Sequence, residues 1–507
     1  MHILTKSKIT SGLQCTKKLW FDVNEPIKKE LHIFYIGNRF GDFSRQHYGQ
    51  GLNLEGQFDV EKVVNETKKA LDDPKVNVIY EAAFLSDEVL VRADVLLRKG
   101  AEWEMVEVKS STSQKPEHIA DATIQTYVIR ACGVNLSSIK IGHINKEFLY
   151  TNIDNYDGLL SEVDITEAVN SRTSEVKDWI KELKIVAAKG ANSPMVAMGE
   201  HCNEPHVCPY QSRCEALLPQ FDGVPINLLP RVGNKLAEEW QEKGIFDLRQ
   251  LPEAALKTPM QKMIHLAHTL NQPVINSDLP AKISSYGWPR FFMDFETVQQ
   301  GVPLLLNTKP YDAIPFQWSV HQWLSPKDKP NLIDGKGFLE FLDPTMDRDF
   351  LVSLLSAVGT EGPIFVHNAS FEISKLTNLI ERPSCSDLKL PVESLISRIV
   401  DTLLVVRNDG YYSPKMNGSF SLKDIVKAIP TSVDYSSGDL LSGGGDAQIV
   451  WFKCTDPNTP ISEKEELARR LKNYCAADTF AMYDLIVYLE SPSDAKSVDF
   501  NKGINEN

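Results

Sequence analysis

The sequence has no long apolar run and no excess of positive charge. No window approaches ~18 uninterrupted apolar residues, and the N-terminal stretch lacks a signal-peptide apolar segment. We therefore expect a soluble, cytoplasmic protein with no membrane partner. Lysine and arginine number 54 against 68 aspartates and glutamates, a net charge of −14. Passive nucleic-acid coats bind through many Lys and Arg contacts to phosphates, so this balance excludes that class, but not an enzyme whose carboxylates hold metal ions.

Internal repeats are also absent, which sets aside solenoids and propellers. At ~100–200 residues per domain, 507 residues predict two to four domains. We expect a first domain over residues 1–215, a helical connector over 216–285, a second domain over 286–490 and a flexible tail over 491–507. The connector segment LLPRVGNKLAEEW has a glycine turn before an amphipathic helix. It resembles a helix–hairpin–helix element, with a plain helical linker as the alternative.

Cysteine is scarce, with eight residues, and half of them stand alone. We expect the isolated ones to be small buried side chains: Cys132, Cys385, Cys454 and Cys475. Three others cluster in HCNEPHVCPYQSRC as Cys202, Cys208 and Cys214, and Cys15 lies near the N-terminus. Without a secretory signal a metal is a better explanation than disulfides. Four thiolates suit an iron–sulfur cluster or a structural zinc, and the adjacent His201 and His206 keep zinc open.

Carboxylates and a lysine recur along three alternating, β-branched runs between residues 78 and 109, which predict an antiparallel meander. Glu107 and Lys109 are two apart on one strand and share a face, where Asp94 of the preceding strand can meet them. Such a group can hold a divalent ion and leave an ammonium beside the attacking water. Glu81 could supplement the ligands. A solvated sheet face with a surface salt bridge is the alternative.

The helical segment PEHIADATIQTYVIRACG follows the meander and carries Gln125. The ordered set from the first cysteine to the cysteine cluster resembles the PD-(D/E)XK nuclease superfamily, in particular its RecB-like branch with the CRISPR-associated exonucleases. The resemblance implies a metal-dependent phosphodiesterase with Asp94 and Glu107 as ligands and Lys109 activating water or stabilising charge. It also implies a [4Fe–4S] cluster on Cys15, Cys202, Cys208 and Cys214.

This sequence departs from the RecB-like pattern at two places. The family helix carries Gln and Tyr four residues apart, whereas position 129 is Ile and the nearby Tyr127 is only two residues from Gln125. The family also often supplies an upstream histidine, for which Asp42 and His47 are the candidates here.

The last block contains three separated acidic positions. The first is FFMDFET, a predicted apolar strand that ends in Asp294 and Glu296. The second is PIFVHNASFEISKL, a predicted strand followed by a helix that carries Glu372. The third is a late helix on which Tyr474 and Asp478 lie four residues apart. Taken singly, each would be a surface or capping feature. Together they suit a two-metal phosphodiesterase.

As an ordered set, these positions resemble the DEDD exonucleases of the RNase H-like fold, in the tyrosine version. The resemblance implies Asp294, Glu296 and Asp478 as ligands and Tyr474 as the residue that orients water. Glu372 stands where the family usually has Asp, and Asp401 is a reserve ligand.

The whole arrangement resembles a bacterial family that joins a RecB-like nuclease domain to a DnaQ-like exonuclease domain. We therefore expect an α/β protein with two nuclease-type domains that uses Mg²⁺ or Mn²⁺ on DNA, as an exonuclease on single-stranded ends, in repair or defence against foreign DNA. No G-x-x-x-x-G-K-[ST] motif occurs, so unwinding would come from a separate helicase. The alternatives are a nucleic-acid-binding scaffold with one degenerate site, Glu372 being the lesion, and an RNA exonuclease.

Overall fold

Helices and strands are mixed throughout the chain, which confirms the α/β class. The computed structural model describes residues 3–500 apart from 28–30, 189, 191, 220, 233, 334–336, 344, 436, 438–439 and 442. The chain forms two units. Unit 1 comprises residues 1–219 and 300–312, and unit 2 comprises residues 220–299 and 313–507.

The predicted meander is the centre of unit 1, and it is confirmed. The strands of this unit are β1 (Leu4–Thr5), β2 (Leu52–Asn53), β3 (Val78–Ser86), β4 (Val89–Lys99), β5 (Glu102–Lys109), β6 (Leu136–Ile144) and β7 (Leu160–Asp164). They form one sheet in the order β2-β3-β4-β5-β6-β7, with β1 parallel to β4. Strands β3, β4 and β5 are antiparallel, while β5 and β6 are parallel.

Two parallel neighbouring strands need a long crossover connection, and α5 supplies it between β5 and β6. The helices of unit 1 are α1 (Lys6–Gln14), α2 (Thr16–Asn24), α3 (His32–Tyr48), α4 (Val60–Asp72), α5 (Pro116–Ala131), α6 (Thr166–Arg172), α7 (Val176–Ala187) and α8 (Gln211–Glu215). Pro116 at the first position of α5 suits a helix start, where its missing N–H costs nothing. Ile124, Val128 and Ile129 of α5 are buried in the core against the sheet.

The sheet of unit 2 is built around the apolar strand RFFMDFETVQ. Its strands are β8 (Val274–Asn276), β9 (Arg290–Gln299), β10 (Ala313–Trp323), β11 (Asn331–Leu332), β12 (Phe338–Leu339), β13 (Ile364–Val366), β14 (Ile399–Asp401), β15 (Tyr411–Tyr412) and β16 (Lys496–Val498). The larger sheet has the order β11-β10-β9-β13-β14, with β12 beside β10. Strand β9 is antiparallel to β10 and parallel to β13. A smaller sheet has the order β15-β8-β16.

Ten helices are described in unit 2. They are α9 (Asn234–Glu242), α10 (Pro259–Leu270), α11 (Leu279–Ser285), α12 (Met346–Val358), α13 (Ser370–Ile380), α14 (Lys389–Ser397), α15 (Thr402–Leu404), α16 (Leu422–Val426), α17 (Gly444–Thr455) and α18 (Ile461–Glu490). Within the described residues, no helix combines the length and the apolar character needed to cross a membrane.

The segments predicted as connector and tail are both built into unit 2. Strand β8, in the predicted connector, pairs with β15 and with β16, which lies in the predicted flexible tail. Val498, which is half-buried, packs against the same core as Val274 and Ile275, so apolar contacts hold β16 in place. The glycine of the predicted hairpin turn, Gly233, lies outside the described residues.

Candidate active sites

Strands β4 and β5 bring the predicted acidic residues of unit 1 together. The register that pairs Val95 with Val106 sets Asp94 opposite Glu107. Lys109 Nζ lies 2.8 Å from Glu107 Oε1, and the backbone N–H of Val108 donates to Asp94 Oδ2 at 2.7 Å. The predicted shared face of Asp94, Glu107 and Lys109 is therefore confirmed.

Helix α5 adds two further side chains to this group. Gln125, fully buried, donates from Nε2 to Glu107 Oε2 at 2.5 Å. Asp121, one turn earlier on the same helix face, accepts from Lys109 Nζ at 2.5 Å. Tyr127, two residues from Gln125, donates to Asp87 at 2.7 Å instead.

The sequence reasoning missed two members of this cluster. Asp121 could have been found, because it lies four residues before Gln125. Lys6 could not, because it precedes Glu107 by 101 residues and no local pattern links them. Its Nζ lies 2.5 Å from Glu107 Oε1.

Buried charges set the electrostatics of this site. Burial, followed by the nearby Glu107, raises the pKa of Asp94 to about 8. Burial would also raise the pKa of Glu107, but the ammonium groups of Lys109 and Lys6 hold it well below its ordinary value. Burial would lower the pKa of Lys109, yet Glu107 and Asp121 raise it above the usual range. At neutral pH Glu107 is thus ionised and Asp94 is poised to ionise when a cation arrives.

Glu81, Asp94 and Lys109 line a cavity of about 460 Å³. The φ of Glu81 is +55°, a conformation that L residues rarely adopt, and burial raises the pKa of its carboxyl group. The oxygens of Glu81, Asp94 and Glu107, all of them described residues, do not all three lie within 4.8 Å of one another. Asp42 also lines the cavity and pairs with Arg45, whereas His47 is exposed on α3.

The four cysteines singled out by their spacing line one pocket in unit 1: Cys15, Cys202, Cys208 and Cys214. Burial raises the pKa of the Cys208 and Cys214 thiols, and the neighbouring Cys15 and Cys202 raise both further. No three of these four sulfur atoms, all in the described part of the chain, lie within 4.8 Å of one another.

Contacts around the cysteines tie the N-terminal helices to the segment that follows α7. Gln14 donates to the carbonyl oxygens of His201 and His206 at 2.9 and 2.6 Å. Phe21 of α2 stacks on Tyr210 with a centroid distance of 4.9 Å, and the Tyr210 hydroxyl donates to Asp22 at 2.7 Å. The pocket is therefore held by packing from both sequence-distant segments.

The other four cysteines are mostly as predicted. Cys385 and Cys475 are buried and Cys454 is half-buried, but Cys132 is exposed. It caps the C-terminus of α5, where the helix runs out of the core, so the prediction of a buried side chain is wrong there.

In unit 2, β9 and α18 bring together three predicted carboxylates. Oxygens of Asp294, Glu296 and Asp478 lie within 4.8 Å of one another, a spacing that can hold a metal ion. These residues and Tyr474 line a cavity of about 430 Å³. Two strand residues two apart and two helix residues four apart thus converge, as the resemblance to the DEDD exonucleases implies.

Two residues in this cluster were not foreseen. The hydroxyl of Tyr435 donates to Asp478 Oδ1 at 2.6 Å. Lys423 on α16 lies with its Nζ 5.1 Å from the ring centroid of Tyr435 and 4.7 Å from that of Tyr474. A cation between two aromatic faces is a favourable arrangement, and it sets a positive charge beside the acidic cluster. Neither residue follows a spacing rule relative to the acidic motifs.

Glu372 and Asp401 differ in what they offer. Glu372 is 3% exposed, and its Oε2 has no hydrogen-bond partner among the described residues. Asp401 instead accepts backbone N–H groups of Asn368 and Ala369 at 3.1 and 3.0 Å and caps α15 through Leu403. The structure thus gives Asp401 a capping role in place of the predicted reserve ligand, because the turn after β13 leaves N–H groups that need an acceptor.

Burial and mutual repulsion shape the acidic groups of unit 2. Burial, then Asp478 and Glu296, raises the pKa of Asp294 well above its ordinary value. Burial and Asp478 raise the pKa of Glu296 to about 8, and burial raises that of Glu372 to about 8. Burial and repulsion within the cluster therefore favour neutral carboxyl groups, whereas a bound cation would favour the charged ones.

We expect the free energy of unfolding of the metal-free protein to fall as the pH rises from about 5 to about 8. A carboxyl group with a raised folded-state pKa stabilises the fold fully below its unfolded pKa, and this contribution is lost as the pH rises through the folded value, here about 8 for Glu296 and Glu372. Glu107 has a lowered pKa and stays ionised throughout this window. Thermal melts in EDTA check this, and Glu372→Gln should flatten the decline. A melting temperature independent of pH between these limits would contradict it.

Comparison with known proteins adds a match to part of unit 2. A family model described as a domain of unknown function, DUF2779, matches residues 291–421. The match includes Asp294, Glu296 and Glu372 and ends before Tyr474 and Asp478. No curated protein matches the chain in sequence.

Proposed function

We propose that this protein is a metal-dependent nuclease with two hydrolytic sites, a PD-(D/E)XK-type site in unit 1 and a DEDD-type exonuclease site in unit 2. The observation that carries the proposal is the convergence of Asp294, Glu296 and Asp478 within 4.8 Å, from a strand and a helix far apart in sequence. The buried group of Asp94, Glu107 and Lys109 gives independent support.

The acidic cluster of unit 2 fits a divalent ion. Asp294, Glu296 and Asp478 would be the ligands. The buried Oε2 of Glu372, which has no hydrogen-bond partner among the described residues, would be a further ligand. Mg²⁺ or Mn²⁺ bound there would supply charge for the attacking and leaving oxygens. Tyr474 would orient the attacking water, and Lys423 adds a positive charge beside the site where negative charge grows on the phosphate.

In unit 1, Asp94 and Glu107 would hold a divalent ion, and Lys109 would act on the water or the phosphate. Asp94 Oδ2 is fixed by the N–H of Val108, and Glu107 Oε2 is fixed by Gln125. Both carboxylates are thus held in orientation before a cation binds, which is what an efficient metal site requires.

The substrate class that we propose is DNA with single-stranded ends, in repair or in defence against foreign DNA. A net charge of −14 requires binding that is local and dependent on the divalent metal.

A substrate panel tests the proposal. Labelled single- and double-stranded DNA and RNA would be offered to the purified protein with Mg²⁺, with Mn²⁺ and with EDTA. We expect metal-dependent cleavage, fastest on single-stranded DNA and abolished by EDTA. Faster cleavage of RNA would make it an RNA exonuclease. Tight binding of single strands without any cleavage would make it a nucleic-acid-binding scaffold.

For the cysteine pocket we propose a [4Fe–4S] cluster. All four thiols line the pocket, and no three of these sulfurs approach within 4.8 Å in the described structure. Four thiolates are the ligand set of a [4Fe–4S] cluster, and a structural zinc bound by the same four thiolates is the alternative. A brown preparation absorbing near 400 nm is expected, and a colourless one containing zinc would overturn this assignment.

Removal of one cysteine should destabilise unit 1. We expect Cys202→Ser to lower bound iron by more than half and to lower the melting temperature by about 5–10 °C, because metal binding in such sites is folding energy. Iron analysis and calorimetry check this. Cys385→Ser, a buried cysteine of unit 2 outside the pocket, serves as control and should keep the iron. Retained iron in Cys202→Ser would contradict the ligand assignment.

A further inference from the structure

Lys6 is a second lysine in the acidic cluster of unit 1. It is the first residue of α1, and its Nζ lies 2.5 Å from Glu107 Oε1 and 3.9 Å from Asp121 Oδ2. Lys109 contacts the same two atoms at 2.8 and 2.5 Å. Both lysine side chains are 21% exposed, and that of Glu107 is 1% exposed. Two ammonium groups therefore share two carboxylates in a largely buried cluster.

A reaction that uses Lys109 leaves two carboxylates without their nearest positive charge, and Lys6 can supply one. When Lys109 turns to a phosphate or a water, Glu107 and Asp121 lose their nearest counter-charge. A buried carboxylate without a partner is strongly disfavoured. Lys6 stays within ion-pair distance of both, and Gln125 still donates to the other oxygen of Glu107.

The two lysines have different surroundings, which indicates different roles. Lys109 lines the cavity that also exposes Glu81 and Asp94, whereas Lys6 is not among the residues lining that cavity. Lys6 approaches Glu107 from the start of α1, where the hydroxyl of Thr5 caps the helix. The lysine that lines the cavity can meet a substrate, whereas the other lies at the first position of α1 and does not line that cavity.

We propose that Lys6 is a positioning residue of unit 1, the fixed counter-ion that keeps Glu107 and Asp121 in place while Lys109 engages the substrate. This inference rests on the proposed nuclease function of unit 1. It has a consequence for metal binding, because an ammonium on Glu107 Oε1 opposes a cation on the same carboxylate. Loss of the Lys6 charge should therefore tighten Mn²⁺ binding and slow turnover, two effects that general damage to the fold would not produce together.

The experiment uses the full chain with Asp294→Asn and Asp478→Asn, which removes two ligands of the unit 2 cluster. Lys6→Met, Lys6→Arg and Lys184→Met are compared in this background. Lys184 is a matched control, since it is a half-buried lysine of unit 1 that lies 2.5 Å from Glu88, outside the cluster. Mn²⁺ affinity is measured by calorimetry or electron paramagnetic resonance, and kcat and KM are measured on labelled single-stranded DNA.

For Lys6→Met we expect about tenfold tighter Mn²⁺ binding and a kcat lower by about 10–100-fold, with KM within about twofold. Lys6→Arg should restore both values to within a few fold, and Lys184→Met should match the parent. A higher KM with unchanged kcat would overturn the proposal, because Lys6 would then bind substrate directly. Weaker Mn²⁺ binding together with failure of Arg to rescue would overturn it in favour of a purely structural role.

The outcome also separates this inference from the nuclease proposal. If the parent cleaves nothing, the nuclease function of unit 1 fails, and the Mn²⁺ affinity alone decides the role of Lys6. Tighter binding in Lys6→Met would then still support the counter-ion role, and unchanged affinity would overturn it.

Discussion

Asp294→Asn is expected to reduce the exonuclease activity of unit 2 by about a thousandfold or more. Asp294 is one of three carboxylates whose oxygens lie within 4.8 Å, and an amide cannot supply the negative charge that a divalent ion needs. Charge stabilisation by such ions contributes several kcal/mol to the transition state, and each ~1.4 kcal/mol changes the rate tenfold. Single-turnover cleavage of labelled single-stranded DNA in Mn²⁺ measures the loss, with Lys109→Met in every sample to silence unit 1.

The fold should tolerate this substitution well. Burial and the neighbouring acids hold the pKa of Asp294 well above its ordinary value, which favours the neutral carboxyl group, and asparagine resembles that group closely. We expect an equal or higher melting temperature in EDTA at pH 8. Asp484→Asn is the control, because Asp484 lies on the same helix as Asp478 but accepts from Thr431 outside the acidic cluster. Equal losses in both variants would contradict the assignment of Asp294.

Lys109→Met should lower the activity of unit 1 by about 10²–10⁴-fold. The ammonium of Lys109 is held between Glu107 and Asp121 and faces the cavity that contains Asp94, so it is placed to assist a water or a developing negative charge. Methionine keeps most of the side-chain volume and removes the charge. The measurement is cleavage of labelled DNA in an Asp294→Asn background, where only unit 1 contributes.

A close control exists for this lysine. Lys140 on β6 is 24% exposed and pairs with Glu104 and Glu162 at 3.1 and 2.8 Å, so it matches Lys109 in burial and in its two acidic partners. Lys140→Met should lose a similar amount of stability and keep its activity. If both variants retain activity, the catalytic assignment of unit 1 fails.

The parts of the fold that follow a local period were predictable. Alternating β-branched residues predicted β3, β4 and β5, because a strand with one buried face repeats every two residues. The same reasoning set Glu107 and Lys109 on one face, and helical spacing set Tyr474 and Asp478 on one face of α18. These relations depend only on the geometry of one element, so the sequence contains them.

Other features depended on pairing between distant segments. The predicted tail forms β16 because β8, in the predicted connector, offers it an edge, and apolar partners cover Val498. Asp401 lies at the end of a strand and was predicted as a reserve metal ligand. Its carboxylate instead accepts hydrogen bonds from the backbone N–H groups of Asn368 and Ala369. A carboxylate binds a metal ion or caps a helix according to which groups pack against it. Those groups come from distant segments, so the sequence near the carboxylate does not reveal them.

The sequence by itself determined which acidic side chains share a strand or a helix face, and its resemblance to two nuclease families suggested which of those faces meet. Only the tertiary structure decided which groups neutralise these side chains. Lys6 reaches Glu107 across 101 residues, and Tyr435 reaches Asp478 across 43. Periodicity fixes the direction of a side chain within its own element, whereas the charge that meets it depends on how whole elements pack, and packing is set by the sum of many buried contacts.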